Sequence, residues 1–282
     1  MNELKGLGTA LITPFKENFE VDYEALDRVL DTQIAGKVDY IVVLGTTGEA
    51  ATMTEKEREE VLTFIRKYVN GRLPLVLGVG GNCTAAVCES LRTMDLAGFE
   101  AILSVCPYYN KPNQEGLFQH FCAVAEASPI PVILYNGPGR TGVNLLPETV
   151  MRIYEAHPDK ILGIKEASGN IEQIKHLIDL AKSKLLVISG DDGIACEVMQ
   201  AGGAGLISVA SNAFPQDFYD IVHKKDQAKQ AKYAEMIRLL FAEGNPVGIK
   251  AVLAQKGIIQ NYLRLPLVPA SQELQAKIAA IL

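Results

Sequence analysis

No run of apolar residues in this chain reaches the roughly 18 needed to cross a bilayer. The opening Met1-Asn2-Glu3-Leu4-Lys5 has none of the apolar stretch of a signal peptide. The expectation is a cytoplasmic protein with no membrane partner. Cysteine is sparse and odd in number: Cys83, Cys88, Cys106, Cys122 and Cys196 sit among apolar neighbours, with no CxxC pair and no zinc spacing. They read as reduced core thiols. Basic charge is short as well, with 27 Lys and Arg against 33 Asp and Glu, so the net charge is −6. Nucleic acid and anionic membrane surfaces attract the opposite sign and are excluded as partners. Histidine occurs four times, at His120, His157, His176 and His223, each in or beside a predicted helix. A zinc-dependent lyase has no ligand set there, and neither a metal nor a cofactor is expected.

The chain has apolar substance in place of these. Its 282 residues are 48% hydrophobic and 21% charged, enough for one large packed core. Short runs rich in Val, Ile and Leu recur at Gly8–Phe15, Tyr40–Leu44, Leu75–Val79, Ala101–Val105, Val132–Tyr135, Ile161–Lys165, Leu185–Ser189 and Gly205–Val209. Each is too short for a buried helix and is continuously apolar, as parallel strands covered on both faces are. Amphipathic stretches separate them: Asp22–Ile34 has Tyr23, Leu26, Val29 and Leu30 at helical spacing, and Thr54–Val69 opens with the capping-box pair Thr54 and Glu57. Gly98, Gly163 and Gly202 are read as punctuating the returns. Eight strands alternating with helices predict an α/β fold, a (β/α)8 TIM barrel, over residues 1–224. Residues 225–282 read as additional C-terminal helices (Asp226–Phe241, Pro246–Lys256, Gln272–Ile281) packed on the barrel.

Such barrels carry their chemistry where strands end. Lys165 closes the run Ile161-Leu162-Gly163-Ile164, where an ammonium loses hydration and the neutral amine that attacks a ketone carbonyl is favoured. The competing reading is a lysine whose stem covers the rim while its head reaches water. Tyr135 closes the preceding strand, and an imine-forming lysine needs hydroxyls nearby to move protons as water leaves. Thr46, Thr47 and Tyr109 follow other strands and offer more. Arg140, in a loop shaped by Gly137, Pro138 and Gly139, is suited to clamp a carboxylate, the competing reading being a solvated loop charge. Gly78-Val79-Gly80-Gly81 reads as close backbone approach rather than a phosphate loop. Asp191 and Asp192, after the seventh strand, would repel a phosphate where many barrels bind one.

Together these segments resemble the dihydrodipicolinate synthase and N-acetylneuraminate lyase superfamily, over nearly the whole chain and in the same order. Gly45-Thr46-Thr47-Gly48-Glu49 is similar to the family's pyruvate-carboxylate loop, Tyr135-Asn136 with Pro138 to its tyrosine motif, and Gly163-Ile164-Lys165-Glu166 to its Schiff-base motif. Gly205-Leu206-Ile207-Ser208 matches another pyruvate-side segment. The resemblance implies Lys165 as imine former, Tyr135 as proton donor, and Thr46 with Tyr109 as relay. Thr47 and Ile207 would hold pyruvate's carboxylate and flank. It implies that Tyr109 crosses to a neighbouring subunit of a homotetramer built as a dimer of dimers. Gly139-Arg140-Thr141-Gly142 resembles the synthase branch, in which the arginine binds the carboxylate of L-aspartate 4-semialdehyde. The implied reaction condenses that aldehyde with pyruvate to give 4-hydroxy-tetrahydrodipicolinate, toward diaminopimelate and lysine. Gly137 departs from the family's branched apolar residue and loosens the choice of second substrate. Two alternatives remain: a lyase of N-acetylneuraminate or 2-keto-3-deoxy sugar acids, and a non-catalytic 2-oxo acid sensor. Feedback by lysine is expected to be weak. Asn82 and Tyr108 are kept, but Ala86 stands where the regulated pattern has a glutamate, and Glu55 and Arg58 where it has histidines.

Overall fold

The computed structural model describes residues 4–282. Eight parallel strands close a barrel in sequence order, the (β/α)8 fold expected. They are β1 (Gly6–Ala10), β2 (Tyr40–Val43), β3 (Leu75–Gly78), β4 (Ala101–Val105), β5 (Val132–Asn136), β6 (Ile161–Glu166), β7 (Leu186–Ser189) and β8 (Gly205–Ser208). Twelve α-helices accompany them among the described residues, and none is long and apolar enough to cross a membrane. The residues form two compact units, one of Pro74–Ile207 with the start of β1, the other of Leu7–Leu73 with Ser208–Leu282.

The first unit carries β3 to β7 and most of β8, interleaved with α3 (Thr84–Thr93), α4 (Gln114–Ala127), α5 (Pro138–Thr141), α6 (Pro147–Ala156), α7 (Ile171–Ala181) and α8 (Ala195–Gln200). Every residue of β5 is buried, as a strand covered on both faces must be. Asn170 starts α7 by accepting from the backbone N–H groups of Glu172 and Gln173, and Lys182 ends it in the left-handed region. Two expectations about glycine part here. Gly98 and Gly202 do turn the chain, at φ of 80° and 99°. Gly163 lies inside β6 instead, where a Cβ would stand 2.4 Å from the Leu186 carbonyl oxygen, so it permits close strand approach and is no return. Gly80 behaves likewise, since a Cβ would meet the Val105 backbone nitrogen at 3.0 Å.

The second unit holds the rest of β1, β2, α1 (Tyr23–Ala35), α2 (Glu55–Val69), α9 (Pro215–Lys224), α10 (Gln227–Phe241), α11 (Val247–Gln255) and α12 (Gln272–Ala279). The capping box of α2 is formed: Glu57 N–H donates to Thr54 Oγ1 at 3.2 Å, and Thr54 N–H to Glu57 Oε2 at 2.9 Å. Its buried face is Val61, Leu62, Ile65 and Val69. The first strand is shorter than its apolar run. Predicted to reach Phe15, β1 stops at Ala10, because Ile12 N–H donates to Asn212 Oδ1 at 3.1 Å and Pro14 has no N–H to offer a ladder. Asn212 also donates to the Ala10 carbonyl at 2.8 Å. A buried side chain therefore stands in for a strand on one edge, while on the other the Leu11 N–H still donates to the Val42 carbonyl at 3.0 Å.

Candidate active site

Within the first unit, Tyr135 and Lys165 are partners in the β5–β6 ladder. Both are buried, at 7% exposure, and Lys165 Nζ lies 4.4 Å from the centroid of the Tyr135 ring. The stem of Lys165 does not cover an open rim. It runs beside Gly190, where a Cβ would come within 2.9 Å of Lys165 Cε and 3.1 Å of Cγ. The glycine thus leaves the channel that the lysine occupies, a role the sequence did not reveal. Gly137 has a comparable relation to Tyr135: a Cβ there would stand 3.1 Å from Cε2 and 3.2 Å from Oη, so its absence lets the phenol lean over this segment.

Arg140 is not in a loop as expected but on the single turn α5, which Pro138 opens and Gly142 closes at φ 75° with its N–H on the Pro138 carbonyl. The turn forms because proline is preorganised for a first helical position and glycine accepts the left-handed cap. Arg140 is exposed, so its guanidinium faces solvent and any ligand that enters from there. Ile207 is buried in β8.

Tyr109 is 90% exposed at φ 74°, and the Asn110 N–H bonds back to the Tyr108 carbonyl at 2.9 Å. This is the rare γ-turn that a non-glycine residue adopts only under strain. Asn110 anchors the turn by donating to the Asn82 carbonyl at 2.9 Å. An aromatic ring pushed into solvent by strained backbone is poorly explained by packing within one chain.

In the second unit, Thr46 and Thr47 open a short 3-10 turn after β2, with Thr46 exposed and Thr47 buried. Thr47 Oγ1 accepts from Asn245 Nδ2 at 2.9 Å, which leaves the hydroxyl proton free to donate elsewhere. Thr13 Oγ1 donates to the Gly48 carbonyl at 2.8 Å. Glu49 then takes the left-handed conformation, φ 55°, and its carboxylate forms an ion pair with Lys250, both side chains fully enclosed. Burial pushes the Lys250 amine down to about 8, with the Glu49 charge opposing. Lys250 also donates to the Tyr262 carbonyl at 3.1 Å, and its ammonium lies 4.2 Å from the centroid of Phe15. Arg264 N–H reaches Glu49 Oε2 at 3.2 Å, while its guanidinium grips Glu57 and draws that carboxyl down to about 2. Asn245 and Lys250 were missed in the sequence. The available signal was a lone lysine in the otherwise apolar Val247–Leu253 segment, all of which is buried.

Two further polar side chains of the first unit meet at the ends of β5 and β6. Asn136 and Glu166 are wholly buried, and Asn136 Nδ2 donates to Glu166 Oε2 at 2.9 Å. Cys106 is buried too; its thiol is pushed up to about 12 by burial and by the Glu166 charge.

The model of the dihydrodipicolinate synthetase family matches residues 3–282. A 4-hydroxy-tetrahydrodipicolinate synthase of Parabacteroides distasonis is 49% identical over 286 residues, covering 99% of this chain and 96% of that protein. Among solved structures, dihydrodipicolinate synthase from Thermotoga maritima superposes with a TM-score of 0.94 at 39% identity, covering 98% of this chain and 97% of its own. The chloride-inhibited dihydrodipicolinate synthase of Acinetobacter baumannii, in complex with pyruvate, gives 0.94 at 38% identity, with 99% and 97% covered.

Proposed function

The chain belongs to the dihydrodipicolinate synthetase family, and from that premise we propose that it condenses pyruvate with L-aspartate 4-semialdehyde to 4-hydroxy-tetrahydrodipicolinate, holding pyruvate as an imine on Lys165. The observation that carries this reading is the buried Lys165–Tyr135 pair, one lysine amine 4.4 Å from one tyrosine ring on adjacent strands.

The chemistry assigns each step a group. The Lys165 amine adds to the ketone carbon of pyruvate, and the carbinolamine loses water once its oxygen is protonated. Tyr135 is the proton donor, with Thr46 and Tyr109 as its relay to solvent. Loss of a methyl proton turns the iminium into an enamine, whose carbon attacks the aldehyde. The amino group of the second substrate then closes on the imine carbon and releases the lysine. Thr47, whose hydroxyl proton is left free by Asn245, donates to pyruvate's carboxylate, and Ile207 flanks the pyruvate. Arg140 takes the carboxylate of the aldehyde substrate. The exposed, strained Tyr109 supports a phenol that serves a neighbouring copy, so the active unit is at least a dimer, within a homotetramer arranged as a dimer of dimers. All five cysteines are unpaired, which supports a reducing compartment, the cytoplasm.

The test is reduction with borohydride in the presence of pyruvate, followed by mass mapping. The adduct is expected on Lys165 and absent from Lys165→Ala. An adduct on another lysine sinks the mechanism, and no adduct at all would favour a binding protein. A coupled assay with pyruvate and aspartate semialdehyde separates synthase from sugar-acid lyase.

A further inference from the structure

Lys165 and Tyr135 face each other in the β5–β6 ladder, and the next rung of that ladder is Glu166 opposite Asn136. Successive side chains of a strand point to opposite faces, so the second rung lies on the far face of the sheet, one residue further along. What it meets there is a closed set of hydrogen bonds. Glu166 Oε2 accepts from Asn136 Nδ2 at 2.9 Å and from Gln173 Nε2 at 3.1 Å, and Oε1 accepts from the Ser168 N–H at 2.7 Å. Asn136 Oδ1 accepts from the Leu145 N–H at 2.9 Å, and its Nδ2 also reaches Asn144 Oδ1 at 2.7 Å. Asn144 and Gln173 exchange two bonds, at 2.8 and 3.1 Å.

The choice of a carboxylate here needs a reason. Glu166 has no exposure, and the three donors around it are neutral: two side-chain amides and one backbone N–H. Burying a charge in this way costs stability that an apolar residue of the same size would not cost. A carboxylate accepts only, however, and so obliges donors from β5, from the segment after β6 and from α7 to converge on one point. The rung in front contains the two groups whose separation decides the rate of imine formation. A misplacement of about 1 Å between reacting groups costs on the order of 100-fold.

We propose that Glu166 and Asn136 are positioning residues, a clasp behind the sheet that holds the Lys165 amine and the Tyr135 phenol in reacting register. The inference rests on the Schiff-base reading above. Neither clasp residue touches substrate, so its loss acts on the chemical step and not on the binding of pyruvate.

The experiment follows pyruvate trapping by borohydride over time, with steady-state rates, on full-length Glu166→Gln. Whichever way the new amide turns, its NH2 faces a donor, and the rungs shift. The expected result is a fall of about 30- to 100-fold in kcat and in trapping rate, with KM for pyruvate within about threefold. The double variant Asn136→Asp with Glu166→Gln hands the carboxylate to β5 and the amide to β6. The hydrogen bond between the rungs is rebuilt, and the rate is expected to return to within about fivefold of the parent, far from additive. A parent-like trapping rate per folded site in Glu166→Gln, with only Tm lowered, overturns the clasp, as does a double variant no faster than the single one. Should Glu166→Gln not fold, Gln173→Met removes one donor from a half-buried helical position and is expected to lower kcat about 5- to 10-fold at unchanged KM; a parent rate there overturns the proposal. Failure of the parent protein itself to trap pyruvate on Lys165 would instead remove the Schiff-base reading beneath it.

Discussion

Gly190→Ala adds one methyl group and asks whether the channel beside Lys165 matters. That methyl would stand 2.6 Å from Ala167 Cβ, 2.9 Å from Lys165 Cε and 3.1 Å from Lys165 Cγ. Carbon atoms rest at about 3.5–4.0 Å, so something must retreat by roughly 0.5–1 Å. Ala167 is fixed to its backbone, and the lysine stem is the flexible party. Gly190 is not among the residues with positive φ, so alanine fits the backbone and the perturbation is steric. A displacement of that size at a reacting amine costs about 10- to 100-fold, equivalent to about 1.4–2.7 kcal/mol in the barrier. The assay is the rate of borohydride-trapped adduct with pyruvate alone, which isolates imine formation from the second substrate. Gly139→Ala is the control for loss of a glycine, since its Cβ meets nothing within 4 Å. Trapping by Gly190→Ala at the parent rate would refute the reasoning, because the amine would then not depend on the path that the glycine leaves open.

Arg140→Ala should form the pyruvate imine normally yet lose about 2–4 kcal/mol with the aldehyde substrate, on the order of 30- to 1,000-fold in kcat/KM; an unchanged aldehyde dependence removes the clamp. Lys250→Met leaves Glu49 charged and enclosed, which should cost about 3–5 kcal/mol in urea unfolding, and a further Glu49→Gln should restore part of it by removing the orphaned charge. His120 is buried against Thr84, and burial lowers its ring to about 4 from the ordinary 6.5. The unfolded chain binds the extra proton between those values, so stability should decline as pH falls from 6.5 to 4, by up to about 3 kcal/mol; His120→Gln should flatten that window in thermal melts. L-lysine at about 1 mM should inhibit weakly, because Ala86 offers no carboxylate to an α-ammonium and an unpaired buried charge costs about 2–5 kcal/mol; strong inhibition well below that concentration would show that Glu55 has taken over the role.

The sequence by itself determined the elements and singled out the lysine on which the proposed function rests. Apolar runs of strand length, amphipathic stretches between them and signals such as Thr54 with Glu57 are local, so the alternation that makes this barrel is written in consecutive residues. Lys165 was legible as a candidate for the same reason, as a charge one residue before the end of an apolar strand. Boundaries and supports were not. The apolar run after Gly8 continues past Ala10, yet β1 ends there as Asn212, from the far end of the chain, takes the Ala10 carbonyl and the Ile12 N–H. Glu166 reads as one more polar residue at a strand end until Asn136, 30 positions away, is seen donating to it. Thr47 reads as a loop hydroxyl until Asn245, 198 positions away, fixes which of its bonds remains free. Lys250 stands out as a lone lysine in an apolar segment, but nothing local pairs it with Glu49, with which it forms one enclosed ion pair. Periodicity and capping repeat within a few residues and leave a pattern, whereas a hydrogen bond or ion pair between distant segments leaves none, and only the folded chain brings its two halves together.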